Sequence, residues 1–306
     1  MKARANLNPR AGLAAARALH ALEGHPGWRG IEIKTTTARG DARVFAEEAA
    51  AAGYDAVLSI GGDGTANETA WGLMGSQTAL GLVPMGSGNG LARTLGIPLR
   101  PERALDALAG AARRRMDVGM INGRPFLNVA GAGFDAEIGA DFHAHGLRGG
   151  RRGIFTYVRL SLLRTWSYEA EQWTLSAGEG GFEGRALVIA FVNGRQYGGG
   201  AIVAPGARLD DGLLDVVVIE DAPRFEIAWN ATRMFTGSIE QFRRYKHLPA
   251  RTARLSAERP FPHHRDGEPE EGVQQLEVTV QPLALAILVP KATADDPRGP
   301  FGPENR

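Results

Sequence analysis

Ser59-Ile60-Gly61-Gly62-Asp63-Gly64-Thr65-Ala66-Asn67-Glu68 is the stretch on which the fold turns. Upstream, Tyr54-Asp55-Ala56-Val57-Leu58 runs into Ser59 and Ile60 and reads as a buried strand; downstream, Thr65 to Met74 reads as a helix. The glycines between them let the backbone turn sharply and come close to a ligand. The helix N-terminus behind them offers N–H groups and a positive dipole, which suit phosphate. Thr65 and Glu68 have the Thr-x-x-Glu spacing of a capping box, which marks a helix start. Asp63 would repel a polyphosphate unless a cation lay between, so its presence points to Mg²⁺. The loop is not a Walker A motif, since no Gly-Lys-Ser/Thr follows, and it lacks the Gly-x-Gly-x-x-Gly dinucleotide fingerprint. A plain glycine turn with a solvated aspartate is the competing reading. The coincidence of strand, glycines, cap and acid argues against it.

One strand further on, Leu80 to Pro84 leads into a second glycine loop, Met85-Gly86-Ser87-Gly88-Asn89-Gly90-Leu91-Ala92-Arg93. Here Asn89 is placed to cap a helix and Ser87 to touch phosphate or Mg²⁺. Such loops on neighbouring parallel strands converge at the carboxyl edge of a sheet, where ligands bind. Asn8-Pro9-Arg10-Ala11-Gly12 opens an earlier helix in the same manner, a weaker signal by itself. Strand-like Gly30 to Thr35, helix-like Asp41 to Ala52 with Gly53 at its end, and helix-like Pro101 to Arg115 complete an alternation typical of a parallel α/β sheet. Ala3 to Leu7 should be its first strand, but Arg4 and Asn6 make it read as truncated or at an edge.

The pattern changes near Met116. Short β-like runs follow: Phe126 to Val129, Gln172 to Ser176, Arg185 to Val192, Leu214 to Ile219, Leu276 to Val280 and Ala284 to Val289. Ile154 to Thr165 and Ala222 to Thr236 look helical. The expected division is an α/β domain over 1–122, rejoined by about 282–292, and a mainly antiparallel domain over 123–281. The Pro-, Gly- and Asp-rich tail 293–306 is expected to be flexible. Across 306 residues, 35 Lys and Arg oppose 34 Asp and Glu, so no global basic field draws the chain to nucleic acid. With no cysteine, disulfides, thiolate metal sites and cysteine nucleophiles are excluded. No run approaches the ~20 apolar residues of a spanning helix.

These motifs together resemble the diacylglycerol kinase catalytic-domain family, which includes sphingosine and ceramide kinases and bacterial lipid kinases. The match lies in Asn8-Pro9 with Gly12, Thr36 with Gly40-Asp41-Ala42, Gly61-Gly62-Asp63-Gly64-Thr65 with Asn67-Glu68, and Gly86-Ser87-Gly88-Asn89 with Ala92-Arg93. Later, Ala204-Pro205, Asp210-Asp211-Gly212-Leu213-Leu214-Asp215 and Asp266-Gly267-Glu268 continue it. The resemblance implies an N-terminal Rossmann-like nucleotide-binding domain and a C-terminal β-sandwich, with the active site in the cleft. It implies transfer of phosphate from ATP to a lipid hydroxyl of diacylglycerol or sphingoid type. ATP would contact Asn8, Thr36, the loop Gly62, Asp63, Gly64, Thr65, Ala66, Asn67 and Glu68, then Gly86, Ser87 and Asn89. Glu268 or Asp266 would be the general base, with Glu268 favoured. A structural Mg²⁺ would map to Asp211 and the carbonyls of Arg208 and Leu213, with Asp210 and Asp117 in an acidic network nearby. A cytoplasmic enzyme that meets its lipid at the inner membrane face is expected, with a homodimer left open. Gly90, where many bacterial members carry an acid, departs from the pattern.

Two rivals share part of the signal: an NAD kinase, which has the Gly-Gly-Asp-Gly-Thr loop, and a non-catalytic nucleotide- or lipid-binding regulator. Read from residues alone, Asp266-Gly267-Glu268 sits in a polar stretch and resembles a solvated turn, and Asp210-Asp211-Gly212 is as well explained by a turn as by a metal. His143 with His145, and His263 with His264, read as solvated loop histidines. Arg113-Arg114-Arg115 suits a helix C-terminus. Arg148, Arg151 and Arg152 could meet anionic lipid heads, or simply solvent. Trp166, Trp173 and Trp229 read as core. Phe134-Asp135-Ala136-Glu137 is a candidate lining for the acceptor.

Overall fold

The computed structural model describes residues 1–139 and 168–303. His143, His145, Arg148, Arg151, Arg152, the helix expected over Ile154 to Thr165, and Trp166 lie outside the described residues. The chain divides into two compact units: Met1–Val118 with Arg208–Asp211 and Pro282–Arg306, and Gly119–Ala207 with Gly212–Gln281.

In the first unit, β1 (Ala3–Leu7), β2 (Glu32–Thr35), β3 (Ala56–Gly61) and β4 (Ala79–Pro84) form a parallel sheet in the order β4-β3-β1-β2. Helices α1 (Leu13–Gly24), α2 (Asp41–Ala51), α3 (Asp63–Leu73), α4 (Gly90–Thr94) and α5 (Pro101–Ala109) connect and cover it, α1 packing on α5 and α2 on α3. Because the strands are parallel, the loops after β1, β3 and β4 gather on one edge.

β1 is neither truncated nor at an edge. It is buried along its length, with Ala5 opposite Ile33 on one side and Leu58 on the other. Its polar residues donate to groups on α2 and β2. Arg4 donates from Nε to Glu32 Oε2 at 3.0 Å, and from Nη1 to the Phe45 carbonyl at 3.0 Å and Glu48 at 3.4 Å. Asn6 Nδ2 donates to the Ala42 carbonyl at 3.0 Å. Replacing Arg4 with Met should cost about 2 kcal/mol. Breaking a buried pair costs more, but both glutamates keep much of their water. A urea midpoint lowered at unchanged slope is the expected reading.

Other expectations shift too. The long helix from Pro101 stops at Ala109, and Arg113-Arg114-Arg115 lie instead on β5 (Ala112–Ile121). Carbonyls of the returning C-terminal segment recruit two of them: Arg114 donates to Ala294, and Arg115 Nε to Leu283 at 2.8 Å. The end of β15 (Glu268–Val289) pairs in parallel with β4, Ile287 opposite Leu80. The tail is ordered as far as described, because Phe301 is buried, Leu209 N–H donates to the Pro300 carbonyl at 2.8 Å and Gly302 N–H to the Asp210 carboxylate at 2.8 Å.

In the second unit, β6 (Arg124–Phe126), β7 (Val129–Gly133), β8 (Glu171–Ala177), β9 (Gly180–Val192), β12 (Leu214–Glu220), β13 (Tyr245–Ala250), β14 (Thr252–Arg265) and most of β15 pair antiparallel; β10 (Gln196–Gly198) and β11 (Ala201–Ile202) form a separate hairpin. Trp173 anchors the core, edge-on to Phe261 with centroids 4.7 Å apart and its Nε1 donating to the Ala186 carbonyl at 3.1 Å. The two runs Leu276 to Val280 and Ala284 to Val289 are one strand, β15. The polar stretch read as a loop is the end of β14, where His263, His264 and Arg265 pair with Ala132, Gly131 and Ala130 of β7. Helices α6 (Arg224–Ala231) and α7 (Arg233–Thr236) replace the single helix expected there, and Trp229 on α6 is exposed rather than core. No helix among the described residues is long and apolar enough to cross a membrane.

Candidate active site

The edge of the first sheet is built by backbone contact between two glycine turns. After β3, Gly61 and Gly62 lead into α3, whose first residue is Asp63. The helix thus begins two residues before Thr65, with Gly62 at its N-cap and no side-chain cap, so the expected capping box does not form. Thr65 instead accepts from Asn8 Nδ2 at 2.9 Å, tying the loop after β1 to α3. After β4, Met85 N–H donates to the Gly61 carbonyl at 2.8 Å. Asn89 takes a left-handed backbone, φ 51°, and braces its own loop: Oδ1 accepts from Gly86 N–H at 2.9 Å and Nδ2 donates to the Gly86 carbonyl at 2.7 Å. Its side chain therefore closes the turn rather than capping α4.

Asp63 joins the two turns. Its Oδ2 accepts from Asn89 N–H at 2.9 Å. The turns are so close that a Cβ on Gly86 would lie 3.1 Å from Gly62 Cα, and one on Gly88 would lie 3.2 Å from Asp63 Oδ2. Glycine is needed here for approach. Thr36 lies on the same edge, its N–H donating to the Leu7 carbonyl at 2.9 Å. Asp41 holds the following turn by accepting from Thr37 N–H at 2.7 Å and Ala38 N–H at 2.8 Å, bonds that pull its carboxyl below the usual carboxylate range. Gly64, Ala66, Asn67 and Glu68 follow Asp63 on α3, Asn67 buried and Glu68 half-buried.

Beside the second turn is a depression of about 450 Å³. Ala14 and Arg17 from α1, Met85 and exposed Ser87 from the turn, Arg93 from α4 and Arg100 before α5 line it. Arg93 Nε donates to the Gly88 carbonyl at 3.1 Å, and Arg17 pairs with Glu102 at 3.1 Å. Three guanidinium groups beside backbone turns make a surface suited to an anion. The sequence motifs included Arg93 but gave no sign of Arg17 or Arg100.

In the second unit, Asp266-Gly267 forms the two-residue turn between β14 and β15, with φ of 48° and 82° and Arg265 opposite Glu268. Positive φ at both positions is the type I′ pattern that Asp-Gly favours. The Asp266 carboxylate accepts from three backbone groups, Leu127 N–H at 2.9 Å, Asn128 N–H at 2.8 Å and Val129 N–H at 3.3 Å. Glu268 is exposed. The neighbouring histidines are buried, not solvated. His264 Nε2 lies 3.1 Å from Asp135 Oδ2, which also accepts from the Tyr197 hydroxyl at 2.7 Å. Gly131 leaves space for this trio, since a Cβ there would fall 2.4 Å from Asp135 Oδ2. Burial pushes the His263 imidazole below its ordinary pKa. Burial, with Glu137 and Asp135 adding to it, raises that of Tyr168. Asp135 is thus a buried brace, and buried Asn128 donates from Nδ2 to the Gln196 carbonyl at 2.7 Å.

Among the described residues no group of three or more His, Asp or Glu side chains is arranged to hold a metal. Asp117 accepts from Leu283 N–H at 2.7 Å and Asp210 from Gly302 N–H, so these acids fasten backbone segments. Asp211 is exposed and precedes Gly212, whose φ is 71°. Arg208 pairs with Asp210 at 3.8 Å, and Leu213 is half-buried.

Comparison with known proteins agrees with this architecture. Residues 2–121 match the diacylglycerol kinase catalytic domain, and residues 128–289 the YegS C-terminal NAD kinase beta sandwich-like domain. A "Probable lipid kinase YegS-like" of Pseudomonas aeruginosa is 36% identical over 265 residues, covering 86% of this chain and 85% of its own. One of Chromohalobacter salexigens is 32% identical over 274 residues, covering 86% and 85%. A diacylglycerol kinase structure from Bacillus anthracis str. Sterne aligns with TM-score 0.70 at 20% identity, over 95% of this chain and 97% of its own. A second structure from that organism reaches 0.79 at 23% identity, over 95% and 96%. The chain belongs to the diacylglycerol kinase catalytic-domain family, with an N-terminal catalytic domain and a C-terminal sandwich-like domain of the YegS type. It is a phosphotransferase of the lipid kinase class, with an alcohol group as acceptor.

Proposed function

We propose that the protein transfers the γ-phosphoryl group of ATP to the hydroxyl of a diacylglycerol- or sphingoid-type lipid. The observation that carries this reading is the pair of glycine turns clamped together by Asp63. Backbone N–H groups at the start of α3, the exposed Ser87 and the arginine-lined depression offer the donors a triphosphate needs. Asn8, Thr36 and the 62–68 segment border the same edge and are assigned to the nucleotide.

Glu268 is assigned as the base that takes the acceptor hydroxyl proton, while Asp266 holds the turn that carries it. In-line phosphoryl transfer depends mainly on positioning and charge stabilisation, so a rigid turn matters as much as the carboxylate. Asp63 is a hard oxygen donor beside the phosphate-binding turns and fits Mg²⁺, which would supply neutralisation of phosphate charge. Asp211, with peptide carbonyls of its own turn including Arg208 and Leu213, is assigned to a structural Mg²⁺.

The test is transfer of labelled γ-phosphate into diacylglycerol, a sphingoid base and NAD, offered side by side. Label in a lipid hydroxyl ester supports the reading. Label in NAD, or none in any acceptor or in a total lipid extract, overturns it.

A further inference from the structure

Helices α6 and α7 of the second unit carry large aromatic side chains that face solvent. Phe225 and Trp229 are 73% and 75% exposed, and Phe235 is 51% exposed. Phe225 and Trp229 are four apart and share one side of α6. The other side already has its partners, since Ile227 of α6 packs on Ala222, Ile239 and Phe242, as does Met234 of α7. A helix apolar on both sides is not explained by the core it covers. Two large exposed aromatics on one side of α6, with a third on the α7 that follows it, mark an interaction site rather than scattered surface hydrophobes.

The face is held firmly. Arg224 donates to the Tyr168 carbonyl at 2.6 Å and to Asp221 at 3.0 Å, and Arg243 grips Glu226 at 2.9 and 3.2 Å. It also adjoins the acceptor-side acids within the same unit. Helix α7 packs on β11, and the β10–β11 hairpin supplies Tyr197 and Gln196, which bond Asp135 and Asn128 beside the 266–268 turn.

The occupant follows from chemistry. An enzyme of the lipid kinase class must reach an acceptor that sits in a bilayer, and no helix among the described residues can span one. Trp and Phe are the side chains that settle at the membrane interface. Charge plays a smaller part: from 220 to 246, Arg224, Arg233, Arg243, Arg244 and Lys246 face Glu220, Asp221, Glu226 and Glu240, five against four. Resting on the lipid kinase reading, we propose that Phe225, Trp229 and Phe235 form the membrane-docking face, entering the interfacial layer of a lipid bilayer.

The experiment is flotation of the full chain with vesicles of phosphatidylcholine and phosphatidylglycerol. The combined variant F225A/W229A/F235A should bind at least about tenfold more weakly, while Trp229→Phe stays near wild type. Brominated acyl chains should quench wild-type tryptophan fluorescence, and the quenching should vanish in Trp229→Phe. Flotation needs no turnover, so its outcome is separate from that of the kinase assay. Where turnover is measured, the triple variant should phosphorylate lipid in detergent micelles at the wild-type rate but lose activity on vesicles. Unchanged flotation of the triple variant overturns the proposal. So does loss of a wild-type dimer in that variant with vesicle binding intact, which would make the face an interface between copies.

Discussion

Asp63→Asn should be as inactive as Asp63→Ala, each with kcat lowered about 10³-fold or more, and both should remain folded. The two substitutions separate the jobs that the geometry gives this residue. Asp63 Oδ2 accepts the Asn89 N–H and so fastens one glycine turn to the other. An asparagine carbonyl can accept the same bond, so Asp63→Asn keeps the clamp and removes only the charge. If the charge is what matters, because it holds a cation against phosphate, the asparagine gains nothing over alanine. Stability should fall little in Asp63→Asn, since a carboxylate in the first turn of a helix contributes about 0.3–1 kcal/mol through the dipole, and by about 1–3 kcal/mol more in Asp63→Ala, where the Asn89 N–H loses its acceptor. The measurements are labelled-phosphate turnover and a urea unfolding curve for each variant. An Asp63→Asn enzyme that keeps a tenth of the wild-type rate would assign Asp63 to loop fastening and remove the argument for a cation there.

The first glycine turn was legible because its signals are local. A strand, glycines and a helix start lie within ten consecutive residues and together shape one surface at the sheet edge. What the residues between 59 and 68 did not reveal is how that surface is tied together. The Asn8–Thr65, Gly61–Met85 and Asp63–Asn89 bonds depend on strand order, which no spacing encodes. Arg4 illustrates the same limit in the core. A charged residue lowers the apparent apolarity of β1, yet α2 brings it a carbonyl and β2 a carboxylate, so the strand is interior.

The turn at Asp266-Gly267 was harder to read for a physical reason. Asp266-Gly267 is a hairpin signal, but Pro262-His263-His264-Arg265 before it and Pro269-Glu270-Glu271 after it hide the alternation of the strands. His264 and Arg265 find partners inside the unit, where pairing of β14 with β7 sets His264 against Asp135, 129 positions away, and Arg265 Nε donates to Glu270 at 2.9 Å. A sequence window sees polar residues and infers solvent. The fold supplies partners and buries them.

That arrangement separates the two acids of the turn. Glu268→Gln should lower kcat by about 10²–10⁴, the usual contribution of a general base, with an unchanged melting temperature. Asp266→Asn should act first on stability. Asparagine tolerates the positive φ, and its single carbonyl can serve the Asn128 and Val129 N–H groups that now share Oδ1. Its amide then faces the Leu127 N–H that Oδ2 had accepted, setting donor against donor, and the protein should lose about 2 kcal/mol. Asp266→Ala removes the acceptor for all three and should lose more, about 3 kcal/mol. Both variants should recover activity in proportion to the fraction folded, measured by turnover across a urea series. Should Asp266→Asn, corrected for its folded fraction, be as slow as Glu268→Gln, the proton would go to Asp266, and the three N–H groups would be tuning a base instead of anchoring a turn.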